Sequence, residues 1–175
     1  MKKIILSVLF VILIILIAIF ILLRSGVLSQ KITLYFFKTQ NNHQAVLTKT
    51  QRKGSYLLNP EEKLKYAIDK LLKGPDKKET KSDIFSFIPS KTIIHDVKIK
   101  NDIAYLNFDK QIESGGGTEN MEGRLSQIVF TATQFPQVKK VRFLINGKKI
   151  TSFSGEGLTD VDKPLGRNNM KKILP

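Results

Sequence analysis

Residues 4–23, IILSVLFVILIILIAIFILL, carry one polar side chain, that of Ser7. At ~1.5 Å per residue a helix of this length spans ~30 Å, the thickness of a bilayer's hydrocarbon core. A helix in the core of a soluble domain keeps a polar face, whereas this run, from Ile4 through Phe10 and Phe20 to Leu23, is apolar all round. A secretory signal has an apolar stretch of only ~7–15 residues and then a small-x-small cleavage site. Here the run is longer, and RSGVLSQ after it offers only Val27-x-Ser29. The segment 1–24 therefore reads as an uncleaved single-pass anchor held by membrane lipid. Lys2 and Lys3 precede it, and Arg24 and Lys31 follow. The bias of basic residues toward the inner side places the N-terminus in the cytoplasm and residues 25–175 outside the cell membrane.

Charge and cysteine usage narrow what the exported part can do. The formal net charge is +14. Setting aside Lys2, Lys3 and Arg24 from the 29 basic residues leaves 26 against 15 acidic ones, a formal +11. Such a surface suits an anionic wall polymer or lipid headgroups, or serves solubility alone. Behind an anchor nucleic acid is not the expected partner, and the basic residues do not interleave with aromatics as in single-strand binders. With no cysteine, disulfides, thiolate metal sites, cysteine nucleophiles and a lipidated-cysteine anchor are all excluded.

After a short linker, 25–30, the chain alternates strand and helix signals. KITLYFFK has apolar residues on both faces and predicts a central strand covered on both sides. TQNNHQ is a polar turn, and AVLTKTQR a second strand. Asn59 can cap a helix that begins with Pro60, with Glu61 and Glu62 in its positive first turn. Leu64, Ala67/Ile68 and Leu71/Leu72 form its apolar stripe, and Gly74-Pro75 stops it. DKKETKSD reads as a charged loop. TIIHDVKIKNDIAYLNF predicts a hairpin turning at Asn101-Asp102, with Ile93, His95, Val97 and Ile99 on one face and Ala104, Leu106 and Phe108 on a shared face of the return strand. Gly115-Gly116-Gly117 is a loose connection to a helix capped by Thr118, with a stripe of Met121, Leu125, Ile128/Val129, Ala132 and Phe135. Pro136 ends that helix. Val141, Phe143 and Ile145 alternate, Asn146-Gly147 reverses the chain, and the segment from Ser154 reads as a loop-rich tail. The expected fold is α/β (α+β): one small domain over 31–153, a mixed sheet with two helices packed on one face, and a tail over 154–175.

No constellation of reactive groups stands out. His43 falls in a polar turn and His95 on a strand face, neither at metal-ligand spacing. Asp96, Asp102, Asp109 and Glu113 gather around the middle hairpin, in places where solvated acids are ordinary. Ser126 and Ser154 lack a nucleophile elbow, and the glycine triplet lacks the Lys-Ser/Thr of a phosphate loop. No catalytic residue, metal or cofactor is expected.

The order of signals carries a resemblance. Leu71-Leu72-x-Gly74-Pro75 after the first helix, Ile88-Pro89 before the hairpin, the NDIAYLNF strand ending at Phe108, Thr133-x-Phe135-Pro136-x-Val138, the Asn146-Gly147-Lys148 turn and the closing GEGLTDVDKPLGR together resemble the GerMN domain of sporulation and spore-germination proteins. The likeness covers about residues 31–167. It implies a small α/β module of the ring-building type, non-catalytic, acting as scaffold or interaction unit in an envelope assembly, with a protein partner or a second copy of itself. The best-known arrangement is a tandem with a lipid anchor, whereas this chain has one copy behind an apolar helix.

Overall fold

The computed structural model describes residues 1–24, 29–40, 44–55, 57–154 and 158–173. His43 lies outside the described residues, as does the side chain of Leu23. The apolar run forms helix α1 (Lys2–Arg24), with Ile4, Phe10 and Phe20 exposed and none of Lys2–Ile21 buried inside the fold.

The domain opens with an antiparallel pair, β1 (Ser29–Thr39) and β2 (Ala45–Ser55). As expected from its two apolar faces, β1 is the central strand, and Ile32, Leu34, Tyr35, Phe36 and Phe37 are all buried. Helix α2 (Pro60–Leu72) starts with a capping box in which Asn59 accepts from the Glu62 N–H and Glu62 accepts from the Asn59 N–H. Its predicted stripe is buried throughout, and Gly74 ends it in the left-handed region (φ +76°). The two-residue β3 (Ile84–Phe85) pairs with the far edge of β1, completing a sheet ordered β2-β1-β3.

A second sheet follows. The hairpin β4 (Ile94–Lys100) and β5 (Ile103–Phe108) turns through Asn101 and Asp102, both at positive φ. Helix α4 (Thr118–Ala132) then carries the chain over to β6 (Lys140–Ile145), which lies parallel to β5. Asn146 and Gly147 make the next reversal, also at positive φ, into the short β7 (Lys148–Lys149), giving the order β4-β5-β6-β7. This sheet is mixed, as expected, but the strands divide between two sheets. Helices α2 and α4 pack on each other, α2 touching β1, β2 and β4, and α4 touching β1 and β6. The helices therefore join the sheets and do not lie as a cover on one face of a single sheet.

Four local expectations are corrected. The register of β4 slips at His95, where Ile94 faces Phe108 and Asp96 faces Asn107. The extra residue turns the preceding strand over, so Ile94 and Val97 are both buried while Ile93 is 56 % exposed and His95 is exposed at the sheet edge. Thr118 is not the cap of α4: Gly117 holds that position, with no side-chain cap bond. The charged segment after Gly74 contains a one-turn helix, α3 (Lys77–Thr80), closed by an Asp76–Glu79 capping box. The segment from Ser154 adds to the fold: β8 (Ser152–Ser154) pairs with β9 (Leu158–Asp160), a 3-10 turn spans Arg167–Ile173, and Val161, Leu165 and Met170 are buried in the core.

The α3 turn is tied to the first sheet by charge. The Arg52 guanidinium donates two parallel bonds to the Glu79 carboxylate, at 2.7 and 2.6 Å, and the Glu79 side chain is 14 % exposed. The Arg52 bonds hold the Glu79 carboxyl below its ordinary range, and the carboxylate raises Arg52 in turn. Because the folded value is depressed, the unfolded chain binds the extra proton. The stabilisation is present above the ordinary glutamate value of about 4.3 and is lost as pH falls through the folded value. Urea unfolding at neutral and at acid pH is expected to show Glu79→Gln losing less stability on acidification than the unaltered chain. Equal losses would show that this pair contributes nothing to the acid slope.

Candidate functional site

A connected polar cluster runs along α4. A second stripe, Arg124, Gln127 and Thr131 on the helix and Gln134 just beyond it, faces inward beside the apolar one. Thr33 of β1 donates its N–H to Gln134 Oε1 at 2.8 Å and accepts from Gln134 Nε2 at 2.7 Å. Tyr35 N–H donates to Thr131 Oγ1, and Tyr35 O accepts from Gln127 Nε2, each at 3.2 Å. Phe37 and Lys38 pair with β3, and Thr39 N–H donates to Asp83 O. The β1 edge facing away from β2 is thus closed by helix side chains along one half and by β3 along the other. This closure keeps β1 out of the second sheet.

Gln127 and Arg124 extend the same seam. Phe87 N–H donates to Gln127 Oε1 at 2.8 Å. Arg124 donates from Nε to Phe87 O at 2.8 Å, from Nη1 to Ile112 O at 3.0 Å and from Nη2 to Gly115 O. Burial pushes this guanidinium below its ordinary value, yet it stays charged because arginine starts so high. The helix reaches the Phe87 segment closely only because residue 123 is glycine: a Cβ there would lie 2.4 Å from the Phe87 ring. The glycine triplet is therefore held at Gly115 by Arg124, with Gly115 and Gly116 at positive φ. Every member of this seam has a backbone group to hold, which is the pattern of a structural join.

The carboxylates around the middle hairpin are also occupied one by one. Asp96 Oδ2 accepts from Asn107 at 2.8 Å, Asp102 pairs with Lys139 at 2.7 Å, and Asp109 Oδ1 accepts from Ile93 N–H at 3.1 Å. Glu113 is buried and paired with Lys110. Ser126 is buried, with no partner for its hydroxyl among the described residues. No group of three or more His, Asp or Glu stands together among the described residues.

The residues that carry the resemblance sit at turns and in the core. Leu72, Ile88 and Phe108 are buried, Phe135 packs partly buried against the core, and Pro89 O closes a turn by accepting from Thr92 N–H at 3.0 Å. Gly74, Asn146 and Gly147 supply positive φ, with Pro75 and Pro136 at chain stops. They shape the domain and do not converge on one place.

Two open surfaces stand out among the described residues. The first is the outer edge of β2, which has no strand neighbour among the described residues. Thr33 and Tyr35 direct both backbone groups toward α4, so their partners across the ladder, Gln51 and Lys49, direct theirs away from β1. Lys53 O on this edge is taken by the Tyr66 hydroxyl and Gln51 O by Arg52. The N–H and C=O of Leu47 and Lys49 and the N–H of Gln51 have no partner among the described residues. The second surface is the outer face of the β4-β5-β6-β7 sheet, which holds an open cleft of about 620 Å³ lined by residues that include Lys98, Lys100, Tyr105, Asn107, Leu144 and Lys149.

Comparison with known proteins gives a consistent result. A family model described as Germane, sporulation and spore germination, matches residues 33–151. A crystal structure of a candidate lipoprotein from Clostridium perfringens aligns with a TM-score of 0.57 at 23 % identity, covering 84 % of this chain and 93 % of that one. The first GerMN domain of the sporulation protein GerM from Bacillus subtilis aligns with a TM-score of 0.58 at 21 % identity, over 79 % of this chain and 98 % of that one. The tandem GerMN domains of the same protein align with a TM-score of 0.58 at 20 % identity, over 81 % of this chain and 47 % of the tandem. No curated protein matches. At these identities the structural likeness is one of fold.

Proposed function

We propose, from the premise that this chain belongs to the Germane family of sporulation and spore germination, that it is a non-catalytic, membrane-anchored interaction module whose exported domain joins an envelope or sporulation assembly. The observation that carries the reading is the open outer edge of β2, across the sheet from a seam of polar side chains that is used for structure. Anchoring rests on α1, whose span Lys2–Ile21 is strongly apolar and not buried in the fold. Because β1 begins at Ser29 and α1 ends at Arg24, the domain works within a short tether of the bilayer.

The edge suits an extended segment of another protein added as a fourth strand. Leu47, Lys49, Gln51 and Lys53 alternate along one face of β2, and the last three are exposed. A second copy pairing antiparallel about Gln51 would set Lys49 opposite Lys53, and pairing about Lys49 would set lysine opposite lysine. Like charges facing across strands destabilise a pair, and edge lysines work against self-association. An acidic extended partner meets neither obstacle.

The edge can be blocked without touching the ladder. Proline at 49 removes an outward N–H only, which a strand edge tolerates. Lys49→Pro is expected to melt within a few degrees of the unaltered chain and to lose the protein captured by a photo-crosslinker placed at Gln51 in native membranes. Undiminished capture by a folded Lys49→Pro chain would overturn the reading.

A further inference from the structure

We infer that the outer face of the β4-β5-β6-β7 sheet is a binding site for a linear polyanion of the phosphodiester type, independent of whatever the β2 edge takes. The argument starts from register. Lys98 faces Tyr105, which faces Arg142; Lys100 faces Ile103, which faces Lys140. Each row sets an uncharged side chain of β5 between two cations on the flanking strands. Side chains on one face recur every second residue, so the two rows lie ~7 Å apart along the strands, and the cations of one row stand ~10 Å apart. Lys149, opposite Leu144 on the same face, adds a fifth cation.

The arrangement works against the fold unless something answers it. Like charges placed in neighbouring rows repel. None of Lys98, Lys100, Lys140 and Lys149 forms an ion pair among the described residues, whereas Asp69, Glu79, Asp102 and Glu113 are each paired elsewhere. Arg142 donates to Asp162 O, a neutral carbonyl that leaves its charge unmatched. Asp96 and Glu61 also face the cleft, each held in place by a neutral donor, Asn107 and Ile99 N–H, at 2.8 Å; they keep their charge, so they offset two of the five cations and leave the face cationic.

The shape selects among anionic ligands. Cations stand in two columns, on β4 and β6, with Tyr105 and Ile103 half-buried along the strand between them. That is a trough with an apolar floor and charged walls, wide enough for one extended chain. A charged group every ~7 Å along such a chain would meet a cation on each side, while its carbon backbone lies on the Tyr105 ring. A bilayer is flat and would engage the rims without the floor.

The test uses the full-length chain in phosphatidylcholine nanodiscs, titrated with a linear glycerol-phosphate polymer and, separately, with anionic phosphatidylglycerol vesicles. The double variant Lys98→Ser/Arg142→Ser is compared with Lys73→Ser/Lys91→Ser, which removes the same charge from exposed positions outside this face. The expected results are polymer binding that weakens steeply with added salt, a loss of tenfold or more in the first variant, and a loss under twofold in the second, with both melting like the unaltered chain. Equal losses in the two variants would mean net charge alone is read and would overturn the site. No polymer binding, or vesicles bound as tightly as polymer and with the same dependence on Lys98 and Arg142, would also overturn it.

Discussion

Arg124→Met is expected to cost the domain about 3 kcal/mol, because three carbonyls lose a charged donor, one of them, that of Ile112, in a buried bond and two in partly buried bonds, and each such loss is worth ~1–3 kcal/mol. The carbonyls belong to Phe87, Ile112 and Gly115, on three separate segments. Methionine keeps much of the side-chain volume, so the loss reports hydrogen bonding and not a cavity. Domains of this size are stable by only ~5–15 kcal/mol, and the effect should appear as a large drop in the urea midpoint at unchanged slope. Arg124→Lys is expected to recover less than half of it, since an ammonium is a point charge that cannot span three acceptors in a planar fork. Unaltered stability in Arg124→Met would remove the seam from the account.

Gln127→Leu is expected to cost about 2–4 kcal/mol by the same reasoning. The side chain is fully buried and bridges two elements, donating to Tyr35 O and accepting from Phe87 N–H. Leucine fills similar space and offers neither bond. Hydrogen exchange separates this from general loosening: the Phe87 amide should exchange faster than the β5 amides do in the same variant. Uniform acceleration across both would mean that Gln127 acts through packing alone.

The turns and both apolar stripes were legible in the residues. Asn59-Pro60-Glu61-Glu62 announced a helix start, and it forms with a full capping box. Asn101-Asp102 and Asn146-Gly147 announced reversals, and all four residues take positive φ. The seam was written just as clearly, as a polar stripe at positions 124, 127, 131 and 134, one face round from the apolar stripe. Inward-facing polar residues declare themselves only once the backbone groups they satisfy are known to lie opposite, and those of Gln127, Thr131 and Gln134 belong to a strand 92 to 101 residues away.

The misread parts have definite physical causes. His95 sits in a bulge, and a single extra residue reverses every inside-outside assignment before it while leaving Val97 and Ile99 correct. Val161, Leu165 and Met170 are too widely spaced to show a period, yet each fills a place in the core, and Leu165 is joined to β6 by backbone bonds with Val141. The division into two sheets also left no local mark. Whether β1 and β5 share a sheet depends on what occupies the β1 edge, and α4 occupies it.

The account holds that a bilayer-tethered module acts outside the cell through its surface. The most direct measurement is protease treatment of intact cells followed by alkaline extraction of their membranes, with a tag at the N-terminus. The predicted result is a domain cut from outside while the tagged α1 fragment is protected and stays with the membrane pellet. A chain that resists the protease until the cells are opened, or that leaves the membrane on alkaline extraction, would contradict it.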